Sequence, residues 1–147
     1  MKMEQDNIAI HKLDTSIVLN NWPLIRPFLL SALTKFDTDK KYPIDFVLLD
    51  LIRGDSQAWA ITKNGALVSA SVTTITEHPG GKSLFLFLTG GEGMHDWGTK
   101  LHDAFVAYAK ENGAKWIDTC SRRGIGKMFY DGLGYVRKSE NYTYEVK

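Results

Sequence analysis

The stretch from Lys82 to Gly113, KSLFLFLTGGEGMHDWGTKLHDAFVAYAKENG, does most to limit what this chain can fold into. Ser83 to Thr89 reads as a strand, and the run Leu84-Phe85-Leu86-Phe87-Leu88 shows no polar alternation. A strand of that kind needs cover on both faces, so it belongs at the centre of a sheet. Gly90, Gly91 and Gly93 mark a turn, and a helix is predicted from Met94 to about Asn112, capped by Gly113. Met94, Trp97, Leu101, Phe105 and Tyr108 are spaced 3, 4, 4 and 3 apart, which tracks one helix face. Asp96 and Lys100 have the i,i+4 spacing of an ion pair on the wet side. A strand that feeds a glycine turn into a helix start leaves amide N–H groups without partners. Those amides, with the helix dipole, suit an anion such as a phosphate.

The flanking segments show how that unit is covered. Ile8 to Leu13 predicts a short first strand. Asn20 or Asn21 is expected to cap a helix with Pro23 and Pro27 in its first turn. That helix runs to about Phe36 and carries Leu24, Ile25, Phe28, Leu29 and Ala32 on its apolar face. A second helix is predicted from Pro43 or Ile44 to Arg53, ended by Gly54. Gln57–Thr62 and Ala66–Thr76 read as strands joined by Asn64-Gly65, the strongest short hairpin signal. After the long helix come a strand over Ala114 to Cys120, a basic glycine loop, a short helix near Ile125 to Gly132, and strands near Tyr135–Lys138 and Tyr142–Val146. The unit from Ser83 to Cys120 is expected to be a right-handed parallel crossover. Ligands then sit beyond the carboxyl ends of its strands, at Thr89–Met94 and Cys120–Gly126.

With 147 residues the chain fits one domain, 1–147. A net charge of +1 points to neither nucleic acid nor membrane as the main partner. The single cysteine, Cys120, rules out an internal disulfide, and at a strand end it reads as a small buried apolar residue. No apolar run has the length of a signal core or a membrane span, so the expected location is cytoplasmic.

The order of elements, together with Phe129-Tyr130-Asp131-Gly132-Leu133-Gly134-Tyr135, resembles the GNAT (GCN5-related N-acetyltransferase) superfamily. Tyr42 to Trp59 and the Arg122-Arg123-Gly124 turn look like small GNAT-like proteins of bacteriophages. The resemblance covers nearly the whole chain. It implies an α/β (α+β) fold with a mixed central sheet of about seven strands and about four helices on both faces. It also implies acetyl-CoA as cofactor, and acyl transfer to an amine acceptor, either a small molecule or a protein. A homodimer is compatible with it. Tyr130 falls where the family often has its general acid, and a phenol suits a developing thiolate. Leu86, Leu88 and Thr89 fall on the strand whose backbone pairs with pantetheine amides. The family's Gln/Arg-x-x-Gly-x-Gly/Ala signature falls on Gly93 to Gly98, where Gly98 alone matches. Asp96 there would repel a pyrophosphate, and Gly90, Gly91 and Gly93 offer a shifted set of amides instead.

Two further readings stand beside that one. The altered signature favours a GNAT-fold protein without catalysis, used for binding or assembly. The glycine turn also suits another acyl or nucleotide ligand. Glu92, His95 and Asp96 cluster at the turn; each is a candidate base or a cap, and Glu92 is taken as the base. Glu77 is a further candidate base or a solvated side chain. Gly80-Gly81-Lys82-Ser83 is no P-loop, because Thr76 stands where its first glycine belongs and a strand follows. The four histidines show no metal-ligand spacing.

Overall fold

The structure, a computed structural model, describes residues 6–35, 40–120, 131–138 and 144–146. Its elements are β1 (Ile8–Leu13), α1 (Thr15–Lys35), α2 (Ile44–Arg53), β2 (Gln57–Lys63), β3 (Ala66–His78), β4 (Gly81–Gly91), α3 (Met94–Glu111) and β5 (Ala114–Thr119). The strands form one sheet in the order β1-β2-β3-β4-β5. The first three pairings are antiparallel, and β4 pairs β5 in parallel across α3. The mixed sheet and the crossover match the sequence expectation. The strand count does not: the described residues form five strands and three α-helices, against about seven and four expected. Tyr135–Lys138 is described and is not a strand, and of the expected short helix only Asp131–Leu133 is described, as a single 3-10 turn.

Local chemistry explains most boundaries. Asn64 and Gly65 have φ of 52° and 84°, the paired positive values of a type I′ hairpin turn. Gly54 ends α2 in the left-handed conformation at φ 80°. Gly113, at φ 71°, does the same just past α3. The start of α1 differs from the sequence expectation. The helix begins at Thr15, not near Asn20, and Val18 N–H donates to the Asp14 carbonyl at 2.9 Å. Pro23 and Pro27 therefore lie inside the helix. Neither can donate the i→i−4 bond, yet the turn survives because Val18, Ile25, Leu29, Ala32 and Leu33 bury one face against the sheet. Leu24, expected on that face, is 63% exposed, because one residue before Ile25 puts it about 100° around the helix from the stripe of Val18, Ile25 and Leu29.

The sheet separates two apolar cores. On one face α1 and α2 pack Leu29, Leu33, Val47 and Leu51 against Ala58, Ala70, Val72 and Leu88. On the other, α3 packs Trp97, Leu101, Phe105 and Ala109 against Trp59, Ile61, Leu84 and Leu86. Strand β4 is thus covered on both faces, as its unbroken apolar run requires. Its register against β3 jumps from Val72↔Leu88 to Thr73↔Leu86, so Phe87 is a bulge residue. The bulge reverses the alternation: Leu86 joins the α3 core and Leu88 the α1–α2 core, although they are two residues apart.

Candidate functional site

From the bulge onward β4 is paired only to β3 among the described residues. Pairing with β5 ends at Leu86↔Thr119, and Thr119 Oγ1 donates to the Leu86 carbonyl at 3.3 Å. Strand β4 continues to Gly91, so residues 87–91 have no β5 partner among the described residues. There β5 ends, and β4 runs on toward the start of α3 beside β3.

The strand is longer than the sequence suggests. Gly90 and Gly91, expected in the turn, pair with Ala70 and Ser69 of β3. Ser69 Oγ donates to the Gly90 carbonyl at 2.5 Å, and Ser71 Oγ to the Leu88 carbonyl at 2.7 Å. A Cβ on Gly90 would collide with the Phe28 carbonyl of α1, and one on Gly91 would lie 2.5 Å from the Val68 carbonyl. These glycines allow close backbone approach. The connection itself is Glu92 and Gly93, with Gly93 at φ 78° before the first turn of α3. Asp96 N–H donates to the Gly93 carbonyl at 2.8 Å, while the N–H groups of Met94 and His95 reach no carbonyl among the described residues. Trp97 Nε1 donates to the Glu92 carbonyl at 2.9 Å, which ties the connection down over the buried indole.

A small recess lies below this point, between β4, α3 and the 131–138 segment, with about 10 Å³ of free space, enough for one water molecule. Its walls are Leu86 and Thr89 from β4, Met94, Trp97, Gly98, Leu101, His102 and Phe105 from α3, and Leu133 and Tyr135. The surface is apolar apart from Thr89 and one hydrogen-bonded pair, His102 Nδ1 and the Tyr135 hydroxyl, 2.9 Å apart with their rings edge-on. Thirty-three residues separate these two, so no local pattern announces the pair.

The structure brings together Leu86, Thr89 and Gly98 from the residues singled out in the sequence. Leu88 points into the opposite core, and Gly93 caps α3 at the rim. Glu92 is exposed where strand passes into helix, and its carboxylate is not a wall of the recess. Tyr130, Arg122 and Arg123 lie outside the described residues.

Asp96 does not pair with Lys100. Its carboxylate sits 3.2 Å from Lys63 Nζ, which also meets Asp6 at 3.2 Å. Hydrogen bonds to Asp6 and Asp96 hold the Lys63 ammonium above the usual lysine range, and the bond from Lys63 holds the Asp6 carboxyl below its own. Lys63 closes β2, so the negative charge at the start of α3 is partly offset by a residue far away in sequence. Lys100 instead reaches the Ile8 carbonyl at 3.5 Å. His95 is 88% exposed beside Asp96. Glu77 is solvated and sits 3.8 Å from Lys82. Cys120, expected to be buried, is exposed because β5 ends one residue earlier. No three metal-binding side chains converge among the described residues, and no described helix is long and apolar enough to cross a membrane.

The sequence matches no protein-family model and no curated protein. Solved structures do match. The aminoglycoside N-acetyltransferase AAC(6')-Iy in complex with CoA is similar over 100% of this chain and 99% of its own, at 14% identity and a TM-score of 0.71. A predicted acetyltransferase with acetyl-CoA from Clostridium acetobutylicum is similar over 95% and 96%, at 14% identity and a TM-score of 0.71. A ribosomal-protein-alanine N-acetyltransferase from Brucella melitensis biovar Abortus 2308 is similar over 95% and 100%, at 16% identity and a TM-score of 0.70. Identities this low establish the fold alone: a mixed, GNAT-like α+β fold in which a long helix joins a parallel pair of strands.

Proposed function

We propose that this protein transfers an acyl group from a coenzyme A thioester to an amine. The observation that carries the reading is the run of β4 past its last described pair with β5, Leu86↔Thr119, up to the connection that starts α3. An extended chain bearing amides could pair with β4 there, over residues 87–91, which have no β5 partner among the described residues. A phosphate finds the Met94 and His95 N–H groups and the positive end of the helix. Fold neighbours with CoA or acetyl-CoA support the same reading. The Lys63 contact supports it further, because it draws the Asp96 carboxylate toward the β2 end.

In this reading the amine nitrogen attacks the thioester carbonyl, a C–N bond forms and the C–S bond breaks. Tyr130 gives its proton to the departing sulfur, and the proton lost by nitrogen passes to Glu92 or to water. Leu86, Thr89 and Gly98 line the arm of the donor, with the backbone of Leu88, Gly90 and Gly91 along its edge and Gly93 at its phosphates. The acceptor is a small-molecule or protein amine, as with the aminoglycosides on which some fold neighbours act.

Thiol release from acetyl-CoA against a panel of amines tests the reaction, with Tyr130→Phe as the paired variant. Removing the acid should lower kcat about a hundredfold with little change in CoA affinity. Equal turnover by the variant would remove Tyr130 from the chemistry.

A further inference from the structure

We propose that Ser69 and Ser71 are positioning residues for acyl transfer: their buried hydroxyls polarise two β4 peptides whose N–H groups face the donor. This rests on the acyl-transfer reading and names the groups behind the strand that bind and activate the thioester.

Both serines belong to β3 and are fully buried. Ser71 Oγ donates to the Leu88 carbonyl at 2.7 Å and Ser69 Oγ to the Gly90 carbonyl at 2.5 Å, so these two carbonyls point from β4 toward β3. A trans peptide sets its N–H opposite its C=O, and no described peptide bond is cis. The N–H groups of Thr89 and Gly91 therefore point away from β3, to the side on which β5 pairs with β4. The Leu86 carbonyl marks that side, since it accepts from Thr119 Oγ1 of β5. Pairing with β5 stops at Leu86, so among the described residues no β5 carbonyl takes either N–H. The two donors lie two residues, or about 7 Å, apart along the strand.

The hydroxyls act on those donors from behind. A carbonyl that accepts a hydrogen bond polarises its own peptide, and the N–H of that peptide becomes a stronger donor. A serine hydroxyl has one proton to give. Ser71 gives its proton to Leu88, so in its 3.0 Å contact with Thr89 Oγ1 it accepts. The chain from Thr89 O–H through Ser71 O–H to the Leu88 carbonyl runs in one direction and ends on the peptide that carries the Thr89 N–H. Ser69 does the same for the peptide that carries the Gly91 N–H.

Position along the strand assigns the two donors. With its phosphates at the start of α3, the arm of coenzyme A runs back along β4 and meets Gly91 before Thr89. The Gly91 N–H then holds an amide carbonyl of the arm, and the Thr89 N–H takes the thioester oxygen. When the amine attacks, the carbonyl π pair moves onto that oxygen, and a stronger donor at Thr89 stabilises the oxyanion. The pair returns as the C–S bond breaks. Ser71 thus works on the chemical step and Ser69 on binding.

Thiol release from acetyl-CoA with the best amine of the panel, and calorimetry with coenzyme A, test this on the whole protein. Ser71→Ala should lower kcat about tenfold and leave the coenzyme A Kd within about twofold. Ser69→Ala should weaken coenzyme A about fivefold and leave kcat within about twofold. Infrared difference spectra of bound acetyl-CoA, isotope-labelled at the thioester carbonyl, give a readout that loosened packing does not move. The C=O stretch should rise in Ser71→Ala and keep its wild-type position in Ser69→Ala. Ser71→Cys, close in size and a weak donor, serves if Ser71→Ala does not fold. Wild-type turnover and affinity in both folded variants overturn the proposal and leave acyl transfer standing. Equal losses of kcat and affinity in each variant, with no change in the carbonyl stretch, also overturn it. A wild-type protein that binds no coenzyme A overturns both.

Discussion

Gly90 shows how one residue joins the site to the scaffold. Its backbone conformation is open to any residue, so its constraint is space: a Cβ would meet the Phe28 carbonyl of α1. Gly90→Ala should cost about 3 kcal/mol or more in chemical denaturation, because backbone atoms cannot rotate away. Wild-type stability in that variant would mean that α1 does not press on β4 there. Tyr42 gives a second check at this scale. Burial, and then its hydrogen bond to Asp50, push the phenol up to about 12. Its proton is held more tightly in the folded chain than in the unfolded one, whose reference value is 10.0. The resulting stability is complete below pH 10 and is lost as the pH rises toward 12. Unfolding curves at pH 9 and 11.5 should therefore converge partway between wild type and Tyr42→Phe. Parallel losses in the two would remove Tyr42 from the effect.

At the scale of elements, α1 holds a testable oddity in Pro23 and Pro27. Pro23→Ala restores the N–H that the Leu19 carbonyl lacks. Helix propensity favours alanine by about 3 kcal/mol, partly offset by a freer unfolded chain. A gain of about 1–2 kcal/mol in denaturant unfolding is expected. A loss would show that α1 needs the bend to seat Ile25 and Leu29. The same prolines hide this helix start in the sequence. Asn20, Asn21 and Pro23 carry the chemistry of an N-terminus, and only burial of Val18 reveals the earlier turn. The other elements were legible because each carries a local signature: Trp59 and Ile61 in β2, the Val, Thr and Ile content of β3, Asn64-Gly65 between them, and glycines after α2 and α3. The bulge at Phe87 and the end of pairing at Leu86 were not, because backbone register leaves no side-chain pattern. Lys63 with Asp96, and His102 with Tyr135, are each 33 residues apart and meet only through the fold.

At the scale of the whole molecule, the sheet divides the labour. The α1–α2 core holds β4 from one side, and α3 with the recess occupies the other. The end of β4, the start of α3 and the apolar recess lie side by side on the α3 face. The departure at Gly93 and Asp96 is the feature that most endangers that account, and the Lys63 contact is what offsets it. Calorimetric titration of the purified chain with coenzyme A tests the two against each other. The account predicts a micromolar Kd. No heat of binding at millimolar ligand would contradict it, leaving the same fold as a binding or assembly module without a coenzyme A site.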